Sequence, residues 1–172
     1  MAGWSLPVLT DHGDWGPQQL CSPGPGNQRR HVVGVRLKIH SKQSFWRDDT
    51  GLNGNRLVCS GINQLLRSAE GAKGEWTQWS KTRNDAGITR VQLRSDRDSA
   101  ADDAATTGLR FWDAEGEMYE PGDVDLGEWQ DTVSCPPGAV ILGLQTQVEE
   151  YRTTWGSIGS SSFVVNVNEV DK

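Results

Sequence analysis

The chain repeats itself. Residues 48–59 read DDTGLNGNRLVC and residues 102–113 read DDAATTGLRFWD, so that the paired aspartates, a glycine and an arginine fall in step. A Gly-acidic-Trp triplet recurs at Gly13-Asp14-Trp15, Gly74-Glu75-Trp76 and Gly127-Glu128-Trp129. Copies at a period of roughly 50 to 60 residues mark one structural unit built three times. A unit that cannot bury its apolar face alone must close that face against its copies. The repeat therefore constrains the architecture more firmly than any local propensity. It also makes each place where a copy deviates a candidate for function.

Each copy reads as strands. The triplet is followed by an alternating run: Val33, Val35, Leu37 and Ile39 around Gly34, Arg36 and Lys38; then Val91 and Leu93 around Arg90, Gln92 and Arg94; then Val140, Leu142, Leu144, Thr146 and Val148. Alternation with period two predicts a strand with one wet and one buried face. A second apolar run follows: Leu57-Val58-Cys59, then Leu109-Arg110-Phe111-Trp112, then Phe163-Val164-Val165, with the register of the last open by one residue. Asn53-Gly54 and Thr107-Gly108 read as turns, with glycine supplying a positive φ. Trp15, Trp76 and Trp129 hold equivalent positions and are expected in the core. The repeats run over about 13–60, 74–114 and 127–168, within one domain spanning 1–172.

Composition agrees with an all-β chain. Its 172 residues include 20 glycines and 7 prolines, many between the strand-like runs. The best helical candidate, residues 62–69, is short enough to be a link between copies. No apolar run approaches the roughly 20 residues of a membrane-spanning helix. A net charge of −6 argues against a nucleic-acid partner, which demands a basic surface. Met1-Ala2-Gly3-Trp4 opens no secretory leader, which leaves a mature secreted chain, a cytosolic one, or release by another route.

The cysteines follow the repeat. Cys21 and Cys59 occur together in the first copy and are absent together from the second, where Asp113 stands at the Cys59 position. This predicts a Cys21–Cys59 disulfide with Cys135 free, against the alternative of three reduced thiols in a cytosolic protein. A disulfide would favour an oxidising compartment. Three cysteines without a CxxC do not make a zinc site. Asp96 with Asp98, and Asp123 with Asp125, lack the spacing of a calcium loop. No nucleophile, metalloprotease, phosphate-binding or dinucleotide motif is present, and His12, His31 and His40 are isolated. No cofactor, no metal and no catalytic residue is expected.

Together, Trp15 with its glycine, the run VVGVRLKI and the element DDTGLNGNRLVC resemble the repeat of the vitelline membrane outer layer protein family. Cys135-Pro136-Pro137-Gly138 followed by Ile141-Leu142-Gly143-Leu144 resembles the start of that repeat in the third copy. The resemblance covers about residues 13–168. It implies a β-prism of type I, with three Greek-key sheets as walls around a pseudo-threefold axis. The chain departs from the family in lacking most of its cysteines. Its third copy has TTWGSIGS at 153–160 in place of the Asp-Asp-Thr element.

The resemblance and the broken symmetry together suggest a non-enzymatic, secreted or extracellular protein that binds a glycan or extracellular-matrix component. Candidate ligand residues are Trp46, Asp48, Asp49, Asn53, Asp102, Asp103 and Trp155. Acidic side chains can hydrogen-bond sugar hydroxyls while an exposed Trp stacks on a sugar face. Asp pairs at repeated positions also fix turns, and Arg56 and Arg110 could pair with them. Trp112 is expected opposite Phe111, on the outer face. A second reading is a toxin or defence module that recognises a target-cell receptor, by analogy of fold. A third is an enzyme acting on N-acetylated oligosaccharides, which the resemblance permits.

Overall fold

A computed structural model describes residues 2–5, 14–15, 17–40, 51–67, 70, 74–97, 104–123, 127–148 and 161–169. They form three antiparallel sheets, the walls of a β-prism. In the first wall, Val32–His40 pairs with Gly51–Cys59. Leu65–Arg67 lies on one edge, and Glu75–Trp76 with Ser80–Lys81 on the other. The second wall repeats this plan. Met118–Asp123, Ala104–Asp113 and Ile88–Arg97 are followed by Glu128–Trp129 with Val133–Ser134.

The third wall is assembled from both ends of the chain. Ala2–Ser5 pairs with Ser161–Glu169, which pairs with Gly143–Val148 and Ala139–Ile141. Asp14–Trp15 and Gln19–Leu20 close its other edge. Each Gly-acidic-Trp strand thus edges the wall before it, because the edge of that wall is the free row of backbone donors and acceptors it meets. The N-terminal strands join the last wall, so the chain closes on itself and leaves fewer open edges.

The same bulge interrupts every wall. Val33 and Thr89 are skipped in pairing, since Val32 faces Cys59 while Gly34 faces Val58, and Ile88 faces Asp113 while Arg90 faces Trp112. In the third wall the extra residue lies between Ile141 and Gln145. A bulge inserts one residue and shifts the alternation. The residues that reach the shared core are therefore Val32, Val35 and Leu37, then Ile88, Val91 and Leu93, then Ile141 and Leu144. Val33 is buried as expected, at 4% exposure, but outside the shared cluster, and the alternation expected from Val140 is corrected. Val140 and Leu142 are only half buried.

A second repeated bulge corrects another expectation. Asn53 and Thr107 are strand residues, each the extra one in its pairing, and neither Asn53-Gly54 nor Thr107-Gly108 is a turn. Gly54 is required for a different reason. A Cβ there would lie 3.1 Å from Trp76 Cη2, so the missing side chain makes room for the ring.

The core is dry and nearly filled. Phe111, its largest fully buried side chain, stacks on Tyr119 with ring centroids 5.0 Å apart. A cavity of about 30 Å³ remains where the walls meet, lined by apolar side chains such as Val35, Ile88, Val91, Ile141 and Leu144. Such a lining offers water no hydrogen bond.

Candidate functional site

The paired central strands of each wall end at matching points: His40 against Gly51, Arg97 against Ala104, and Val148 against Ser161. From these ends run the connections 41–50, 98–103 and 149–160. Trp46, Asp48, Asp49, Asp102, Asp103 and Trp155 belong to these connections and lie outside the described residues. Asn53 is the one candidate ligand residue inside them. It is 7% exposed, at the bulge of its strand.

Sequence reasoning missed a set of side chains on the outside of the walls. Trp76 pairs with Lys38 and Trp129 with Arg94, positions that alternate with the inward Leu37 and Leu93. Both rings are half buried on outer faces, and the expectation that they are core is corrected for them. Trp15 takes the same register position in the third wall, opposite Gln147.

Arginines cover the two described rings. Arg56 lies 4.1 Å from the Trp76 centroid, and Arg36 lies 4.9 Å from it and 5.0 Å from that of Trp79. In the second wall Arg110 lies 3.6 Å from the Trp129 centroid and Arg94 lies 5.8 Å from it. Arg90 sits 4.4 Å from the centroid of Trp112, which is on the outer face. A guanidinium held over an indole is attracted by the negative ring face.

Carboxylates anchor the arginines. Arg56 donates to both oxygens of Glu70, at 2.8 Å and 3.1 Å, and Arg110 pairs with Glu120 at 3.0 Å. The Arg56 hydrogen bond holds the Glu70 carboxyl below its ordinary range and raises the guanidinium. Arg56 and Arg110 thus pair with Glu70 and Glu120, acids outside the Asp pairs first considered. The sequence signal was the equivalence of Arg56 with Arg110, which announced a repeated contact without naming its partner.

The corners between walls differ from one another. Cys21, Thr82 and Cys135 hold equivalent positions, because their amides donate to Leu142, Val33 and Thr89 respectively. The residues that pair with Val32, Ile88 and Ile141 at these corners are Cys59, Asp113 and Val167. Cys21 and Cys59 form a disulfide. At the next corner Asp113, 2% exposed, accepts hydrogen bonds from the amides of Glu115 and Glu117 at 2.9 Å and 3.0 Å. It also accepts one from the Tyr119 hydroxyl at 3.0 Å, and that oxygen in turn accepts from the Arg83 amide. Burial raises the Tyr119 hydroxyl above its usual value, which keeps it a donor. At the third corner Cys135 is free, and burial pushes its thiol up to about 11. It stays protonated near neutral pH and is a poor nucleophile.

Among the described residues no His, Cys, Asp and Glu side chains gather as a metal site, and no helix is long and apolar enough to cross a membrane.

Comparison with known proteins agrees with this geometry. A family model described as Vitelline membrane outer layer protein I (VOMI) matches residues 4–168. A protein of Homo sapiens described as vitelline membrane outer layer protein 1 homolog is 33% identical over 146 residues, covering 80% of this chain and 68% of that protein. Its Mus musculus counterpart is 31% identical over 149 residues, with 81% and 70% covered. Among solved structures, Calsepa lectin in complex with a biantennary N-glycan superposes with a TM-score of 0.65 over 99% of this chain and 98% of that one. At 9% identity this likeness is one of fold, the β-prism of three sheets.

Proposed function

Because this chain belongs to the vitelline membrane outer layer protein I family, we propose that it is a non-enzymatic protein that binds a glycan or extracellular-matrix component outside the cell. The ligand contacts come from the connections 41–50, 98–103 and 149–160 at one end of the prism. The observation that carries this reading is the matching position of the three strand ends. The Asp48-Asp49 and Asp102-Asp103 pairs, Trp46 and Trp155 belong to the connections that start from these ends, which supports the reading. Carboxylates and aromatic rings are the chemistry that holds sugar hydroxyls and sugar faces. Catalysis has no comparable support, since no acid–base pair or nucleophile stands out in the sequence. The disulfide suits an oxidising compartment.

A screen of glycans and polysaccharides, chitin oligomers included, tests this with Trp155→Ala alongside. Selective binding that falls roughly tenfold or more in the variant is expected, the usual effect of removing an aromatic anchor. Binding to no glycan would defeat the reading and favour a protein receptor. Release of a shortened sugar would favour the enzymatic one.

A further inference from the structure

One row of side chains differs between the first two walls. Arg56 and Arg110 hold equivalent positions, each over an outer tryptophan. In the second wall, register sets Arg110 opposite Gln92, and the edge strand Met118–Asp123 supplies Glu120 to it at 3.0 Å. In the first wall, register sets Arg56 opposite Arg36 on one side and opposite Arg67, from the edge strand Leu65–Arg67, on the other. Arg56 and Arg67 alternate with the core residues Leu57 and Leu66, so both stand on the outer face with Arg36. Three arginines thus line up on adjacent strands, where the second wall sets its arginine between an amide and an acid.

The first-wall row keeps its charge. Glu70 takes its two hydrogen bonds from Arg56, while Arg67 and Lys38 act on that carboxyl only through their charge. Among the described residues, neither Arg36 nor Arg67 makes an ion pair. Arg36 lies 4.9 Å from the Trp76 centroid and 5.0 Å from that of Trp79, and its Nε is buried without a hydrogen-bond acceptor. Ring faces attract a cation but carry no net charge, so they hold Arg36 without cancelling it. Exposed Lys81 lies against Gly34, two residues along the strand from Arg36. Like charges directly opposite one another destabilise a sheet. The second wall shows that the fold does not require them. On a chain of net charge −6, the row is a local concentration of positive charge.

We propose that the outer face of the first wall binds an acidic polysaccharide, with Arg36 and Arg67 taking its sulfate or carboxylate groups. The inference rests on the glycan-binding reading above and adds to it a second site, away from the prism end, and a ligand class. A guanidinium presents planar N–H donors that match two oxygens of a sulfate or carboxylate. Arg36 is already held by two rings, so less side-chain freedom is lost when it binds. Arg56 is satisfied by Glu70 and serves as the spacer between the two free cations. Arg36 and Arg67 are two strand spacings apart, about 10 Å. A ligand with charges at separate points along its length meets both, and a single small anion does not.

The test titrates heparin hexasaccharide, hyaluronan hexasaccharide, chitin hexamer and polyglutamate into the wild type, Arg36→Gln, Arg67→Glu and a Trp46→Ala/Trp155→Ala double variant. The two arginine substitutions follow the second wall, which has Gln92 and Glu120 in the corresponding row. Arg67 is exposed, so Arg67→Glu should not lower the melting temperature and reports on binding alone. At least one acidic hexasaccharide is expected to bind the wild type, less tightly as salt is added. Each arginine variant should weaken that binding by roughly tenfold or more, the usual loss of a charge-assisted hydrogen bond. The tryptophan double variant should retain it. Binding of heparin alone would assign sulfate recognition, and binding of hyaluronan alone carboxylate recognition. If neither acidic sugar binds, or both arginine variants bind as the wild type does, the wall site is overturned. Chitin binding lost in the double variant would then leave the prism-end reading standing. Polyglutamate bound as tightly as the sugars would make the face a general polyanion surface and overturn the proposal. Acidic-sugar binding that needs Arg67, with no chitin binding, would uphold the wall site and count against the prism end alone.

Discussion

Removing the disulfide by Cys21→Ala/Cys59→Ala is expected to lower stability by about 4 kcal/mol, from the entropy of closing a loop between residues 38 apart in sequence. For a domain of this size that corresponds to a fall in melting temperature of roughly 8–16 °C. The effect arises because the bridge ties the N-terminal strands, which complete the third wall, to the first wall. Thermal unfolding of the variant, beside wild type with and without reductant, measures it. A fall below about 1 kcal/mol would mean that wall packing alone holds this corner.

Asp113→Ala is expected to cost roughly 2–3 kcal/mol, because it leaves three part-buried donors without the carboxylate they share. The amides of Glu115 and Glu117 and the Tyr119 hydroxyl, all part-buried, would each lose an acceptor. Tyr119→Phe should cost only about 1 kcal/mol, since it removes one donor and keeps the stack on Phe111. Denaturant unfolding of both single variants and the double variant checks the assignment. Additive costs would show that the Tyr119 contact does not contribute to what Asp113 holds. Asp113 reaches across its corner through the Tyr119 hydroxyl, which accepts from the Arg83 amide, where the disulfide bridges its corner directly. The substitution that looked in sequence like a lost cysteine is a different solution to the same closure.

Much of the architecture was legible because a repeat is a global signal. The DDTGLNGNRLVC and DDAATTGLRFWD elements, read against three Gly-acidic-Trp triplets, required three like walls before any strand was located. Alternation then identified the central strands, since burial of one sheet face imposes a period of two. Phe111 inward with Trp112 outward followed from that period alone. The candidate site was legible only as composition: acid pairs and odd tryptophans gathered in the connections between those strands.

Three features belonged to the tertiary structure. The bulges at Val33 and Thr89 brought Val32 and Ile88 into the core beside the expected Val35, Leu37, Val91 and Leu93, which a strict period cannot register because the extra residue is defined only by its partner strand. The pairing of residues 2–5 with 161–169 is the longest-range contact in the chain, and no local pattern encodes which edge a short strand will join. Trp76 and Trp129 hold equivalent positions in their repeats, which by sequence predicts a core role for the large apolar indole. Whether it is buried by aliphatic neighbours inside or covered by an arginine outside depends on the strand beside it, and here that strand belongs to the preceding repeat. The sequence alone determined that three like units must close around one core. The folded chain decided which residues face that core and which tryptophans lie outside it under an arginine, because both depend on register between strands far apart in sequence.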